Sequence, residues 1–591
     1  MAPITIFSLP PEIFPSIGSN LDQRSLARCL LVCQEWTSLF TPSFWECVQM
    51  SRLLMNEYFK TPDSIAAFTR NRHLLRVLET KDPEFLLYLD RQQPPALNAL
   101  QQLTFLPAFD QLPFIYNRTR LDGKPESDNM TGFTNVKALL SILDKATKLQ
   151  QLTLGEGCFW NRDKDVFLPI TTMFPAETLE KLHISFDRRA FPIGLIDTQI
   201  ENKMAQAILD WGNQSPFIAL KEISISGENG QISIPRMAFL ARCGSLERVR
   251  LDSVDERFMR LVPTYLRQFC PRLTSLQLTR RLEHEDEAIA LMLRSSVSGW
   301  KELRLPWLNE FGPLAFEALM ESAATLEVLV IAHWGRLDKA CFLDLLCSAE
   351  RLRRLEGLPD GETNYNAAEV WVHAYDAFLE HIEGRKDRTW ALGPSMEYLQ
   401  MQIVGVPRPD VACRLNGGSF FRLAPFHLVA DLHVDASQRY DVQRYIYEQL
   451  GRMTGLQELL LGILGPDWDH YEGMGVTPEM DEQELEEELL DYYITFRYRC
   501  LEFSLESGLE LLSGLKELRV LDVRSTAHRI GVKELEWMSK NWPKLKAVKG
   551  LYACRNWTGD KEDNKVWEDA VKEWMGAHPD GIGCSYYLKR V

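Results

Sequence analysis

Apolar residues return along this chain in one recurring phrase, Leu-x-x-Leu-x-Leu, with other apolar side chains admitted at each leucine slot. It reads LQQLTL from Leu149, LEKLHI from Leu179, LKEISI from Leu220, LERVRL from Leu246, LTSLQL from Leu273, WKELRL from Trp300 and LEVLVI from Leu326. Looser copies are LRRLEG from Leu352, MEYLQM from Met396, VADLHV from Val429, LQELLL from Leu456, LRVLDV from Leu518 and LKAVKG from Leu545. Between Leu220 and Leu352 the onsets lie 26, 27, 27, 26 and 26 residues apart. The fourth and sixth slots alternate, as one buried face of a short strand requires, while the residues between phrases carry helical spacing. Ala288, Ile289, Leu291, Met292 and Leu293 show that helical half, and the acidic run His284–Glu287 before them suits a helix N-terminus. One unit alone cannot bury its apolar face, so the strands are expected to stack in parallel over a shared leucine core. A helical bundle with scattered Leu-x-x-Leu would not keep so even a beat.

The period falls inside the interval of about 20 to 29 residues typical of leucine-rich repeats. The units resemble the ribonuclease-inhibitor-like and cysteine-containing leucine-rich-repeat families, with Cys243 and Cys270 each three residues before an onset. The Asn or Cys those families carry after the strand does not recur regularly. The resemblance implies an α/β fold: a right-handed solenoid, a ribonuclease-inhibitor-like horseshoe, over residues 149–551, with insertions near 358–395 and 462–514. Residues 51–148 would be a linker or irregular N-terminal repeats. The second insertion holds DEQELEEELLD, Asp481–Asp491, with seven carboxylates in eleven residues. Such a run suits a solvated helix face or a contact for a basic partner. In 552–591, Val566, Trp567, Ala570, Val571, Trp574 and Met575 share a helical face and Gly576 offers a stop, the pattern of a C-terminal cap helix.

Residues 8–48, SLPPEIFPSIGSNLDQRSLARCLLVCQEWTSLFTPSFWECV, follow a different rule and read as three short helices. Pro10, Pro11 and Glu12 suit a first helical turn, and Gly18 can end it. Asp22 can cap the second helix, on which Leu26, Cys29, Leu30 and Cys33 recur at i, i+3, i+4 and i+7. Trp36, Leu39 and Phe40 build a third, which Pro42 is expected to break. About forty residues make a small core and leave apolar surface seeking a partner. The segment resembles an F-box: an LPxE opening, spaced aliphatics, a V-C-x-x-W step and a terminal aromatic pair. Leu9, Pro10, Glu12, Ile13, Ile17, Leu21, Leu26, Val32, Cys33, Trp36, Phe40 and Trp45 occupy those slots. By that resemblance the segment docks a Skp1-type adaptor, which links it to a cullin and a RING subunit. Leu9, Pro10, Glu12, Ile13, Ile17, Leu26 and Val32 would face or support the adaptor, with Trp36 packing internally. The alternative is an N-terminal cap shielding the first repeat.

Charge and composition narrow the chemistry. Lys and Arg number 66 against 82 Asp and Glu, a net charge of −16, which disfavours a general nucleic-acid binder. No apolar run approaches the roughly 18 residues of a membrane span. The N-terminus lacks a basic n-region and places prolines where a signal peptide needs its apolar core, so an intracellular protein of cytoplasm or nucleus is expected. The 12 cysteines form no CxxC pair, which suits reduced buried thiols. HExxH, GxSxG, GxxxxGK[ST] and GxGxxG are missing, and His427 and His433 are six apart, off the helical spacing for shared metal ligation. No catalytic residue, metal or cofactor is therefore expected.

With the fourth and sixth slots inward, the third, fifth and seventh face the opposite side, where solenoids bind their partners. They present Lys181, His183, Glu222, Arg248, Arg250, Asp252, Gln277, Glu302, Arg304, Tyr398, Gln400, Asp431 and His433. Lys181, His183, Arg248, Arg250, Gln277, Arg304, Tyr398 and His433 are the candidates for target contact, and the arginines form a basic spot for carboxylate or phosphate. The sequence thus predicts a non-enzymatic substrate-recruiting subunit of a Skp1-cullin-F-box ubiquitin ligase with an unspecified protein target. A free-standing repeat scaffold is the other reading.

Overall fold

The computed structural model describes residues 10, 12–50, 61–82, 85–86, 88–89, 94–106, 130–155, 158, 170–186, 214–227, 234–252, 256–279, 285–307, 311–333, 339–357, 371–384, 388–408, 439–462, 499–524, 526–551 and 561–578. The chain forms two compact units, one of residues 1–273 with 295–298 and one of residues 274–294 with 299–591.

In the first unit, strands β1 (Cys47–Met50), β2 (Val77–Thr80), β3 (Gln102–Phe105), β4 (Gln151–Leu154), β5 (Lys181–Phe186), β6 (Glu222–Gly227) and β7 (Arg248–Asp252) pair in parallel and in chain order. The second unit holds β8 (Ser275–Thr279), β9 (Glu302–Trp307), β10 (Val328–His333), β11 (Arg354–Glu356), β12 (Trp371–His373), β13 (Tyr398–Gln400), β14 (Gln402–Val404), β15 (Glu458–Leu460), β16 (Val520–Asp522) and β17 (Ala547–Lys549). There the parallel order is β8-β9-β10-β11-β13-β15-β16-β17, while β12 and β14 pair separately. Helices or 3₁₀ turns such as Ile234–Arg242, Glu256–Phe269, Asp286–Leu293 and Pro313–Met320 separate successive strands.

Every described phrase from Leu149 onward starts a strand two residues after its onset; the copy at Val429 lies outside the described residues. Fourth slot pairs with fourth slot: Leu152, Leu182, Ile223 and Val249 align in one unit, Leu276, Leu303, Leu329 and Leu355 in the other. All eight are buried, as parallel strands covered on that face require. The backbone repeats the beat. Amides of the second and third slots converge on the second-slot carbonyl of the strand before: Glu180 and Lys181 donate to the Gln150 carbonyl at 2.7 and 3.0 Å, and Glu327 and Val328 to that of Lys301 at 2.8 and 2.9 Å. A carbonyl has two lone pairs, so both amides are satisfied.

In several repeats the turn into the phrase is closed by a small or apolar residue three places earlier. Leu246 donates to the Cys243 carbonyl and Leu273 to that of Cys270, each at 3.1 Å. Both thiols are buried, which pushes Cys270 up to about 12 and Cys243 well above the ordinary thiol value. Trp300 occupies an onset slot because its indole finds a partner, the Leu293 carbonyl at 2.5 Å.

Three expectations fail locally. Leu291 is exposed, whereas Ala288, Ile289, Met292 and Leu293 are buried, because the helix Asp286–Leu293 turns that one residue outward. In the terminal helix Lys561–Ala577 the buried positions are Val571 and Trp574, and the Trp567 indole donates to the Ile530 carbonyl at 3.2 Å; Val566 and Ala570 fall off that stripe and are exposed. Gly576 lies inside the helix and does not end it.

Candidate functional site

The N-terminal residues form α1 (Ile13–Ser19), α2 (Gln23–Leu30) and α3 (Gln34–Glu46). Asp22 caps α2 by accepting from the Ser25 amide at 2.6 Å, and hydrogen bonds from Ser25 hold its carboxyl below the usual carboxylate range. Phe14, Leu26 and Phe40 form the core, Phe14 meeting Phe40 edge-on at 5.9 Å, with Trp36 against Phe40 at 5.5 Å. α1 approaches α3 so closely that a Cβ on Gly18 would lie 2.2 Å from the Ser43 Oγ, so Gly18 serves close packing inside α1, which runs past it to Ser19. Pro42 does not break α3, which continues to Glu46. The Thr41 hydroxyl donates to the Thr37 carbonyl at 2.5 Å beside the proline, and Phe40 and Ser43 are buried on either side of it.

These helices leave apolar side chains in solvent. Val32 is 60% and Ile13 40% exposed, and Leu31, which the sequence did not single out, is 85% exposed. The tight turn after α2, with Leu31 donating to Arg28 at 3.1 Å and Val32 to Cys29 at 3.2 Å, holds both outward. Pro10 and Glu12 are also exposed, and Ile17 is half-buried against the core. Leu26 is different: at 3% exposure it supports the surface from within and does not belong to it. Leu9 lies outside the described residues.

On the repeat strands the third and fifth slots carry the charged candidates. Lys181 and Arg248 share one carboxylate, Glu222, at 3.6 and 3.1 Å. Arg250 is exposed. His183 is half-buried, and burial, with Arg250 nearby, lowers its pKa from the ordinary imidazole value against the pull of Asp252. In the second unit Gln277 is half-buried, Arg304 is held by Glu302 at 2.6 Å, and Tyr398 lies under the Arg354 guanidinium at 4.0 Å with its hydroxyl on Gln400 at 3.2 Å. Arg304 is thus committed within its own strand and adds little free positive charge. His433 lies outside the described residues.

The alternation also breaks. Fifth-slot residues Val330, Glu356, Gln400, Leu460 and Asp522 are buried, not solvent-facing. Each of the acids among them is paired with an arginine two residues away: Arg354 meets Glu356 at 2.8 Å and Arg524 meets Asp522 at 2.7 Å.

Among the described residues no group of three or more His, Cys, Asp or Glu is placed to hold a metal, and no helix is long and apolar enough to cross a membrane. The chain is similar to the yeast complex of Rad7 and Elc1 at 14% identity, over 58% of this chain and 81% of that one, with a TM-score of 0.30. It is also similar to the TLR13–ssRNA13 complex at 13% identity, over 83% of this chain and 60% of that one, with a TM-score of 0.31. Both superpose too loosely to bear on function. No curated protein matches the sequence. Residues 6–51 match the F-box-like family. The chain therefore carries an F-box-like domain at its N-terminal end, followed by a repeat-like α/β fold built on parallel strands.

Proposed function

We propose that this chain is a substrate-recruiting adaptor of a Skp1-cullin-F-box ubiquitin ligase and is not itself an enzyme. The observation that carries the reading is an F-box-like segment whose core is closed by Phe14, Leu26 and Phe40 while Ile13, Leu31 and Val32 stay in solvent. An exposed Leu, Val and Ile on so small a domain favour burial against a partner, and a Skp1-like subunit is the partner of that domain type. The repeats behind it are read as leucine-rich repeats of the ribonuclease-inhibitor-like kind, whose polar strand face holds the target. The work is done by proximity: a target held near a conjugating enzyme reacts at raised effective concentration.

One observation favours the alternative of a scaffold with an N-terminal cap: α3 ends at Glu46 and β1 begins at Cys47, so the helices run straight into the first strand. Co-expression with a Skp1-like protein separates the two. The adaptor reading expects co-purification that is lost with Leu9→Ala plus Pro10→Ala. Undiminished capture by a chain lacking residues 1–50 would refute it.

A further inference from the structure

Two rows of side chains cross strands β5, β6 and β7 on the face opposite the leucines. Lys181, Glu222 and Arg248 align in one row, and His183, Ser224 and Arg250 in the other. Lys181, Arg248 and Arg250 are exposed, and the rest are half-buried. The charges on the third, fifth and seventh slots of these strands are three cations, Lys181, Arg248 and Arg250, against Glu222 and Asp252, on a molecule whose net charge is −16.

The arrangement differs from that of the second unit. There Arg304, Arg354 and Arg524 each meet an acid two residues away in sequence, Glu302, Glu356 and Asp522. On β7 the residue two before Arg250 is Arg248, so two guanidinium groups stand on one face. Glu222 is already divided between Lys181 and Arg248, and Arg250 forms no ion pair among the described residues. Like charges side by side on a sheet are unfavourable until an anion joins them. The second unit also closes its fifth-slot positions from Val330 to Asp522 by burial, whereas His183, Ser224 and Arg250 remain open.

We propose that the β5–β7 face of the first unit is the target-docking surface, and that its occupant is an extended, unmodified acidic peptide segment. Arg250 takes one Asp or Glu carboxylate through its guanidinium fork, with Ser224 and His183 offering hydrogen bonds along the row. A second carboxylate competes with Glu222 for Lys181 or Arg248. Neighbouring strands are about 4.8 Å apart and an extended peptide advances about 3.3 Å per residue, so acidic residues two to three apart match the cations. The inference rests on the reading that this chain holds a target.

The test is an array of defined decapeptides probed with the labelled full chain: a Glu-rich peptide with acids two and three apart, its Gln counterpart, a Lys counterpart and a phosphoserine counterpart. The Glu peptide is expected to bind, the Gln and Lys peptides to bind at least about tenfold more weakly. Arg250→Glu should abolish the signal, while Arg304→Glu, whose arginine is already paired, should leave it within about twofold. Silence of the Glu peptide, equal binding of the Gln peptide, binding of the phosphoserine peptide alone, or indifference to Arg250→Glu would each overturn the proposal. Capture of a Skp1-like adaptor, measured on the same preparation, keeps the two readings apart. Capture without acidic-peptide binding defeats only this inference, and peptide binding without capture defeats only the adaptor reading.

Discussion

Asp286 gives the sharpest prediction about what couples one repeat to the next. It sits in the first turn of the helix Asp286–Leu293, yet its carboxylate accepts from three amides at the start of the following helix: Gly312 and Leu314 at 2.9 Å and Ala315 at 2.8 Å. A Cβ at residue 312 would stand 2.6 Å from the Asp286 Oδ2, so glycine there admits the carboxylate. Asp286→Ala removes a cap, worth about 0.5 to 2 kcal/mol, and a charge facing the helix N-terminus, worth about 0.3 to 1 kcal/mol. It also leaves donors unpaired, two of them part-buried, so the total loss is about 2 to 4 kcal/mol. Asp286→Asn keeps one acceptor oxygen and should cost about half as much. Urea unfolding followed by circular dichroism measures both, with the exposed neighbour Glu287→Ala as the control expected within about 0.5 kcal/mol of wild type. Equal, small losses for Asp286→Ala and Glu287→Ala would refute the inter-repeat cap.

Other perturbations address the core and its ionisable groups. Leu276→Ala, at a fully buried fourth slot, should cost about 2 to 5 kcal/mol in the same unfolding assay, while Gln277→Ala next to it stays within about 0.5 kcal/mol; similar losses would contradict the alternating faces. His528 is buried, and burial lowers its pKa to about 4. Its proton is bound more readily in the unfolded chain, near 6.5, than in the folded one, so stability present above about pH 6.5 should fall as pH drops toward 4, by up to about 3 kcal/mol. Unfolding midpoints from pH 7 to 4.5 for wild type and His528→Gln check this, and parallel pH slopes would count against it. Cys243 and Cys270 should resist alkylation at pH 8 in the folded protein and react only on unfolding, by mass spectrometry.

The repeat beat was legible because leucine at the first, fourth and sixth slots is a packing requirement that shows in sequence. The N-terminal strands were less so. β1, β2 and β3 follow the phrases WECVQM, LRVLET and LQQLTF from Trp45, Leu75 and Leu100, but those onsets are unevenly spaced, and Thr80 stands where an apolar sixth slot is expected. Trp45 fits the F-box pattern and is also the first onset residue, so one side chain serves both patterns. The burial of Glu356 and Asp522 could not be read locally, since each looks like a solvated charge until Arg354 or Arg524 is placed beside it. Leu31 and Leu26 show the same limit in the helical segment. Both are leucines in or just after α2, and only the turn geometry turns one into solvent and the other into the core.

The solvent-facing aliphatics of the first three helices carry the proposed adaptor contact. Calorimetric titration of the full chain with a purified Skp1-like adaptor tests them directly. Losing the burial of one leucine side chain forfeits about 1.5 to 3 kcal/mol, so Leu31→Ala should weaken binding by about tenfold or more, and Leu31→Asp with Val32→Asp should abolish it without shifting the unfolding midpoint. Wild-type affinity retained by the double aspartate variant would contradict the account.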